Sequence, residues 1–184
     1  MNQLTNRQAD LNQIANNQNG EDRKNENPRN LCMKEHAAVT LKAVDHTNWF
    51  ACTQLEVTEE QKRVFPVPAV YWLAESAYCG YTPLAIYCGE QLAGLAVYAV
   101  DPDDGAYWIM AYMIDYRFQQ RGIGRAGMIE LIRYLQERHH CGRIKLGHRP
   151  ENERAARLYA SLGFQEAGRD DQEIIRELEL NLAN

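Results

Sequence analysis

The 184-residue sequence contains no long apolar run. A helix that crosses a membrane needs roughly 20 consecutive apolar residues, and no segment approaches that length. The first residues are rich in asparagine and glutamine and do not form the apolar centre of a secretory signal peptide. We therefore expect a cytoplasmic protein without a membrane partner.

The chain also has no basic stripe. Its 20 lysines and arginines are outnumbered by 25 aspartates and glutamates, which gives a formal net charge of -5. Proteins that bind nucleic acid cluster basic residues on one face to neutralise phosphates. The sequence therefore predicts no nucleic-acid partner, and its acidity suits a cationic partner better.

Metal-site and nucleotide-loop patterns are missing as well. The five cysteines are scattered, and no two are spaced as CxxC. His139, His140 and Cys141 are adjacent, but no distant residue has the spacing that would complete a zinc site. There is no Gly-Lys-Ser/Thr loop for a nucleoside triphosphate and no three-glycine GxGxxG. We predict that the protein binds no metal.

The start of the chain differs in composition from the rest. Residues 1–36 carry few large apolar groups, and so little burial cannot offset the entropy lost on ordering the segment. An alternating apolar pattern begins at Val39. We predict a disordered tail over residues 1–36 and a single domain over residues 37–184. The oligomeric state stays open, with a homodimer among the options.

Apolar periodicity predicts a mixture of helices and strands. Two amphipathic helices are expected over residues 124–138 and 152–162, a short helix over 45–55 and a further one over 67–78. Thr58 and Gln61, between the last two, have the spacing of a capping box. The strand-like runs are residues 39–44, 83–88, 91–100, 106–115, 143–147, 164–168 and 173–180.

A glycine-rich turn, with Gln119, Gly122 and Gly124, lies between a predicted strand and the first long helix. The backbone amides at the start of a helix have no partner within the helix, and they attract anions. Glycines leave room there for a bulky diphosphate, while Arg121 and Arg125 can add charged hydrogen bonds. The alternative is an ordinary helix start with two turn glycines.

The second long helix carries two polar residues on one face. Asn152 and Tyr159 are seven residues apart, close to two helical turns. Considered alone, Asn152 is well explained as a helix N-cap and Tyr159 as a core residue. A functional role depends on what accompanies them.

The turn and the second helix together resemble the two motifs of the GNAT superfamily of acetyl-CoA-dependent N-acetyltransferases. The turn matches Q/R-x-x-G-x-G/A, and Asn152 to Phe164 matches N-x-x-A-x-x-L-Y-x-x-x-G-F. The resemblance implies an α/β (α+β) fold. Its central sheet would be mixed but mostly antiparallel, flanked by helices, with a splayed strand pair that binds the cosubstrate.

The same resemblance implies roles for individual residues. Amides of the glycine turn would hold the diphosphate of acetyl-CoA, and the preceding strand's backbone would pair with the pantetheine arm. Tyr159 would be the general acid that protonates the leaving thiolate. The residues implied to bind acetyl-CoA are Met113, Ile114, Gln119, Arg121, Gly122, Ile123, Gly124, Arg125 and Asn152.

The sequence does not identify the general base. Polyamine-type relatives carry a carboxylate on the strand before the turn, and that position here is Met110. A base matters because an amine of pKa about 10.4 is protonated at neutral pH, and freeing its lone pair costs roughly 4 to 5 kcal/mol. Glu75 and Glu173 are candidates for the base or for binding the amine, with Glu56 and a water-mediated Tyr112 as alternatives.

Softer matches, among them residues 65–68, 73–75 and Glu173, resemble bacterial spermidine/spermine N-acetyltransferases. Acidic residues at 56, 59, 60, 75, 170, 171 and 173 could line a groove for a polycation. We therefore predict acetyl transfer to a primary amine of a small molecule such as spermidine or spermine. The alternatives are an aminoglycoside or amino acid, a protein N-terminus or lysine, and a non-catalytic acyl-CoA-binding module.

Overall fold

The computed structural model describes residues 38–169 and 172–181 of the protein. Within these ranges the strands are β1 (Val39–Ala43), β2 (Thr82–Cys88), β3 (Gln91–Val100), β4 (Tyr107–Ile114), β5 (Arg143–His148), β6 (Gln165–Arg169) and β7 (Ile174–Glu179). The helices are α1 (Trp49–Thr53), α2 (Ala69–Cys79), α3 (Ile123–His139) and α4 (Glu153–Ser161), with 3₁₀ turns at Gln61–Arg63 and Tyr116–Phe118. The predicted order of elements is confirmed.

All of these strands belong to one sheet, in the order β1-β2-β3-β4-β5-β7-β6. Adjacent strands are antiparallel except β4 and β5, which are parallel. Parallel neighbours need a long crossover, and α3 supplies it. The predicted fold class, a mixed but mostly antiparallel sheet flanked by helices, is therefore confirmed.

Alternate residues of the central strands bury opposite faces of the sheet. Ile86 packs in one apolar cluster with Met128 of α3. Its neighbour Ala85 packs in a second cluster with Cys52 of α1 and Ala69 of α2. We call these two sides the α3 face and the α2 face. Burying one large side chain such as Met128 contributes roughly 1.5 to 3 kcal/mol, so both helical layers stabilise the sheet.

The first predicted helix is shorter than expected. The Asp45 carboxylate accepts a hydrogen bond from the Thr47 N–H at 2.8 Å, and the Asn48 side-chain oxygen accepts one from the Asp45 N–H at 2.9 Å. Such side-chain bonds offer the backbone an alternative to a helix, so α1 begins only at Trp49. The predicted capping box of Thr58 and Gln61 is present, with two reciprocal bonds of 3.3 Å.

Strands β4 and β5 diverge partway along their length. They pair over residues 107–109 of β4 only, whereas β4 stays paired to β3 throughout. The β3 register shifts between Val97 and Tyr98, which leaves Met110 as an extra residue in a β-bulge. A bulge bends its strand. The predicted splayed strand pair is therefore confirmed, and it opens a gap in the sheet.

Helix α3 lies against β4 through a close contact. The Tyr112 hydroxyl donates to the Gly124 carbonyl at 2.8 Å. A Cβ atom on Gly127 would stand 2.6 Å from the same hydroxyl oxygen, well inside van der Waals contact. Gly127 therefore allows the first turns of α3 to rest directly on Tyr112.

Some expectations concern residues outside the described ranges. These are the tail at residues 1–36 and the acidic residues Asp170 and Asp171. Across residues 38–169 and 172–181, no helix combines the length and apolarity needed to cross a membrane. The same residues hold no group of three or more His, Cys, Asp or Glu side chains that is arranged for a metal ion.

Candidate active site

A cavity of about 460 Å³ fills the gap where β4 and β5 diverge. Residues 109–114 of β4 and 146–148 of β5 form two of its walls. The glycine turn, α4, and the segment between α1 and α2 supply most of the remaining lining. Because Tyr159 packs on the α3 face and Trp72 on the α2 face, the cavity reaches both faces of the sheet.

The glycine turn presents backbone amides to this cavity. Gly122 is the N-cap of α3, and its φ of +77° is a left-handed conformation that strains other residues. The first bond within the helix runs from the Ala126 N–H to the Gly122 carbonyl, so the amides before it have no helical partner. Gly124 and Arg125 line the cavity. An anion is therefore favoured at this end.

Two side chains hold the turn in place. Asp115 is fully buried, and its carboxylate accepts hydrogen bonds from Arg117 Nε at 2.7 Å and from the Glu56 N–H at 3.1 Å. The Gln119 side-chain amide donates to the Ile114 carbonyl at 2.8 Å and to the Gln61 side chain at 2.7 Å. Removing either side chain would take a hydrogen-bond partner from a backbone group, the Glu56 N–H or the Ile114 carbonyl. The turn is thus tied to both β4 and the segment before α2.

Most of the residues expected to bind the cosubstrate lie together. Those that line the cavity are Met113, Ile114, Gln119, Gly122, Gly124, Arg125 and Asn152. The Ile123 side chain instead packs in the core. The Arg121 guanidinium lies 6.0 Å from the centre of the Phe118 ring, outside the cavity lining. Ile123 can therefore reach a bound diphosphate only through its backbone amide, whereas Arg121 Nη1 is a buried donor without a hydrogen-bond partner among the described residues.

Asn152 has a second function that the sequence also suggested. Its side-chain oxygen accepts a hydrogen bond from the Ala155 N–H at 3.1 Å, so it is the N-cap of α4. A cap of this kind contributes roughly 1 kcal/mol. Asn152 therefore lines the cavity while its oxygen fixes the start of the helix that carries Tyr159.

Tyr159 is buried and faces the cavity from α4. Its ring centre lies 5.9 Å from those of His148 and Phe164. Burial raises the pKa of Tyr159 to about 12, because a phenolate would lose its hydration there. The hydroxyl makes no hydrogen bond to residues 38–169 or 172–181. Its proton is therefore retained at neutral pH and available to a ligand.

His148 is a cavity residue that the sequence reasoning missed. It is buried, and its Nε2 lies 2.9 Å from Arg176 Nε while its Nδ1 lies 3.0 Å from the Arg149 carbonyl. Arginine can only donate, so Nε2 must accept and Nδ1 must carry the proton. His148 is thus a neutral ring held at both nitrogens. It supports Tyr159 and has no free lone pair to act as a base.

Glu173 reaches the cavity just before β7. Its carboxylate occupies the space that a side chain on Gly147 would fill, so any larger residue there would overlap it. The side chain is exposed to solvent. Among the cavity-lining residues it is the one carboxylate within the described ranges.

Glu173 and Tyr159 approach the cavity from opposite faces of the sheet. Gly147 and His148 are consecutive residues of β5, so their side-chain directions point to opposite faces. Glu173 lies on the Gly147 side, and Tyr159 contacts His148. The site therefore offers a carboxylate on one side of the gap and a protonated phenol on the other.

The other candidates for the general base are Glu56, Glu75 and Tyr112, and none of them brings a free proton acceptor to the cavity. Glu75 on α2 and Glu56 do not line the cavity, whereas Met110 does. Tyr112 lines it too, but its hydroxyl is committed to the Gly124 carbonyl. Burial raises the pKa of Tyr112 well above its ordinary value, which removes it as a proton acceptor at neutral pH.

The missed residue had a signal in the sequence. Ile144, Leu146 and His148 alternate along one strand, and the first two are buried on the α3 face. A strand places the third member of such a series on the same face. His148 could therefore have been predicted to sit beside the helix that carries Tyr159.

A family model and a curated relative both match this chain, and both describe acetyltransferases. The model of the acetyltransferase (GNAT) family matches residues 44–164. A spermine/spermidine N(1)-acetyltransferase of Bacillus subtilis (strain 168) is 32% identical over 141 residues, which cover 73% of this chain and 92% of that protein.

Solved structures show the same fold. An aminoglycoside acetyltransferase in complex with coenzyme A superposes with a TM-score of 0.66 at 17% identity, over 77% of this chain and 95% of that one. The ribosomal-protein-S18-alanine N-acetyltransferase of Escherichia coli gives a TM-score of 0.61 at 24% identity, over 79% and 96%. Their acceptors differ widely, so these likenesses concern the fold alone.

Proposed function

The chain belongs to the GNAT acetyltransferase family, and we propose that its acceptor is a primary amine of a small molecule, preferably a di- or polyamine. Acetyl transfer itself follows from the family. The observation that carries the acceptor proposal is the Glu173 carboxylate, which faces the cavity on the side opposite Tyr159.

The residues at the glycine turn fit the cosubstrate. Acetyl-CoA supplies a thioester whose acyl carbon is attacked by an amine and whose thiol is the leaving group. Gly124 lines the cavity, and a Cβ atom at this position would lie 3.6 Å from its nearest protein neighbour, which is an ordinary contact. Packing within the protein therefore does not require glycine here, whereas close approach of a diphosphate does. Arg125 and the unpaired amides of the first helical turn add positive charge at the same end.

Glu173 is proposed to bind the amine and to help remove its proton. The acceptor arrives as an ammonium ion, which an anionic carboxylate attracts. Because the side chain is exposed, the proton can pass from Glu173 to solvent. Freeing the lone pair costs roughly 4 to 5 kcal/mol at neutral pH for an amine of lysine-like pKa, so a proton path is required. His148 cannot provide it, since both of its nitrogens are engaged.

Tyr159 is proposed to assist the departing sulfur. A phenol with a pKa of about 12 holds its proton through the neutral range. Complete transfer from such a phenol to a thiolate, whose ordinary pKa is about 8.5, would be uphill. The hydroxyl therefore acts best by donating a hydrogen bond that strengthens as the carbon–sulfur bond breaks. Its neutral neighbour His148 keeps the ring oriented.

Two observations support a di- or polyamine over other amines. The relative at 32% identity is named for spermine and spermidine, and it matches over most of its length. In addition, Glu173 suits a cation. The expected wider acidic groove has less support, because Glu56, Glu59, Glu60 and Glu75 do not line the cavity.

The test is a thiol-release screen with acetyl-CoA and a panel of amines. The panel contains spermidine, spermine, cadaverine, an aminoglycoside, free amino acids and a peptide with a free N-terminus. We expect the highest kcat/KM among the polyamines and cadaverine. A preference for the aminoglycoside or the peptide would refute the acceptor proposal and leave acetyl transfer intact.

A further inference from the structure

One wall of the cavity is apolar and aromatic. Phe65 and Trp72 stack with ring centres 6.4 Å apart and an interplanar angle of 28°. We call the following cavity-lining residues the aromatic wall: Val57, Val64, Phe65, Val67, Trp72 and Met110. All six side chains are apolar or aromatic, and all are half-buried.

The aromatic wall lies on the same side of the sheet as Glu173. Trp72 and Met110 pack with the cluster of the α2 face. Glu173 stands on the Gly147 side of β5, away from His148 and the α3 face. The glycine turn and Tyr159 belong to the α3 face, so the wall is the part of the cavity that the diphosphate and thiol do not require.

We propose that the aromatic wall binds the hydrocarbon segment of the acceptor next to its reacting amine, so that substrates are amines with an extended apolar body. This inference rests on the proposed function and specifies its substrate class. The propylene and butylene segments of a polyamine meet the requirement, as does an alkyl monoamine. A compact polar amine such as an amino acid does not.

The composition of the wall favours hydrocarbon. None of its six residues is a carboxylate, so an ammonium there would have only the faces of Phe65 and Trp72 as partners. Each methylene group of the acceptor that is buried there raises its affinity by a factor of about four. Met110, which the bulge in β4 places at the cavity, extends the apolar surface.

The test compares amines on the wild type and on Trp72→Ala. Ethylamine, butylamine and hexylamine vary in chain length, and cadaverine matches hexylamine in length but ends in an ammonium group. In the wild type, kcat/KM should rise about fourfold per added methylene until the wall is covered. In Trp72→Ala this dependence should flatten, with about a tenfold loss for hexylamine and little change for ethylamine.

A matched control comes from the same helix. Tyr78 is 92% exposed and does not line the cavity. Tyr78→Ala should therefore leave the chain-length dependence unchanged. The KM for acetyl-CoA should be the same in all three proteins, which would show that the glycine turn is intact.

Two results would overturn the inference. One is a dependence of kcat/KM on amine chain length that is as steep in Trp72→Ala as in the wild type. The other is a wild type that prefers cadaverine to hexylamine by more than tenfold, with the preference lost in Trp72→Ala, since that would place an ammonium at the wall.

Binding measurements separate this inference from the proposed function. Calorimetry of hexylamine and ethylamine with the coenzyme A-bound protein needs no turnover. If no amine releases thiol but hexylamine still binds through Trp72, the function is wrong and the wall is right. If amines are acetylated but hexylamine gains nothing over ethylamine, the wall is wrong and the function stands.

Discussion

The Glu173 carboxylate sits in the side-chain position of Gly147, directly against the backbone of β5. This contact brings a carboxylate from the segment before β7 to the edge of the gap between β4 and β5. A methyl group on Gly147 would overlap the carboxylate oxygen, so the Glu173 side chain could keep this position only beside a glycine. The next residue, His148, points to the other face and contacts Tyr159.

Gly147→Ala should weaken amine binding by displacing Glu173. We expect KM for spermidine to rise about tenfold, a modest factor because the exposed carboxylate is screened by solvent. Glu173→Gln should raise the KM for spermidine by a similar factor. The difference in KM between the wild type and this variant should shrink at high salt, because salt screens the carboxylate. Steady-state kinetics at two ionic strengths provide the measurement.

Glu75→Gln is the matched control for the carboxylate, because Glu75 does not line the cavity. It should change KM for spermidine by less than a factor of about two, as surface charges usually do. If Glu75→Gln costs as much as Glu173→Gln, the amine is bound elsewhere than proposed.

Tyr159→Phe should lower kcat by about 100-fold with little change in KM for acetyl-CoA, since the hydroxyl is needed chiefly as the thiolate leaves. The pH profile offers a second check. Because burial raises the pKa of Tyr159 to about 12, its ionisation should not reduce wild-type kcat below pH 10, the ordinary value for tyrosine. A kcat in Tyr159→Phe close to that of the wild type would remove this residue from the mechanism.

Gly124→Ala should separate cosubstrate binding from folding. The added methyl group meets Ile114 Cγ1 at 3.6 Å, an ordinary contact, and alanine is the better helix former. Thermal stability should therefore not fall, while coenzyme A affinity by calorimetry should weaken about tenfold because the methyl group enters the diphosphate site. Gly168→Ala, which meets Ile175 at 3.9 Å away from the cavity, is the control. Unchanged affinity in Gly124→Ala would contradict this placement of the diphosphate.

Gly127→Ala tests how α3 rests on β4. The new methyl group would stand 2.6 Å from the Tyr112 hydroxyl and 3.3 Å from Ile86, so we expect a loss of about 1 to 3 kcal/mol in the free energy of unfolding. Tyr112→Phe removes the hydroxyl, and this single change should lower the free energy of unfolding by about 1 kcal/mol. The double variant should lose less unfolding free energy than the sum of the losses in the two single variants. Urea denaturation measures all three values. Strict additivity would mean that the two residues do not touch.

Much of the fold and the position of the glycine turn at the cavity could be predicted from the sequence because local rules determine them. The periodicity of α3 and α4, the glycines of the turn and the N-cap at Asn152 are all short-range features. The α1 boundary was wrong because the side chains of Asp45 and Asn48 bond to the nearby backbone. That competition is also local, but periodicity does not detect it.

The Glu173 side of the cavity was less predictable because it depends on tertiary pairing. Glu75 and Glu173 were equivalent candidates in the sequence, and only the pairing of β7 with β5 brings Glu173 beside Gly147. His148 and Arg176 are 28 residues apart, so their hydrogen bond has no short-range signature. The bulge at Met110 arises from a register shift against β3, which composition does not reveal.

The most direct test of the proposed acceptor is a competition in one reaction. Acetyl-CoA is supplied with equal concentrations of spermidine, an aminoglycoside, an amino acid and a peptide with a free N-terminus, and mass spectrometry identifies the acetylated products. We predict that acetylspermidine dominates and that its share falls in Glu173→Gln while coenzyme A affinity is unchanged. Acetylation mainly of the peptide or the aminoglycoside, or no acetylated amine despite bound acetyl-CoA, would contradict the account.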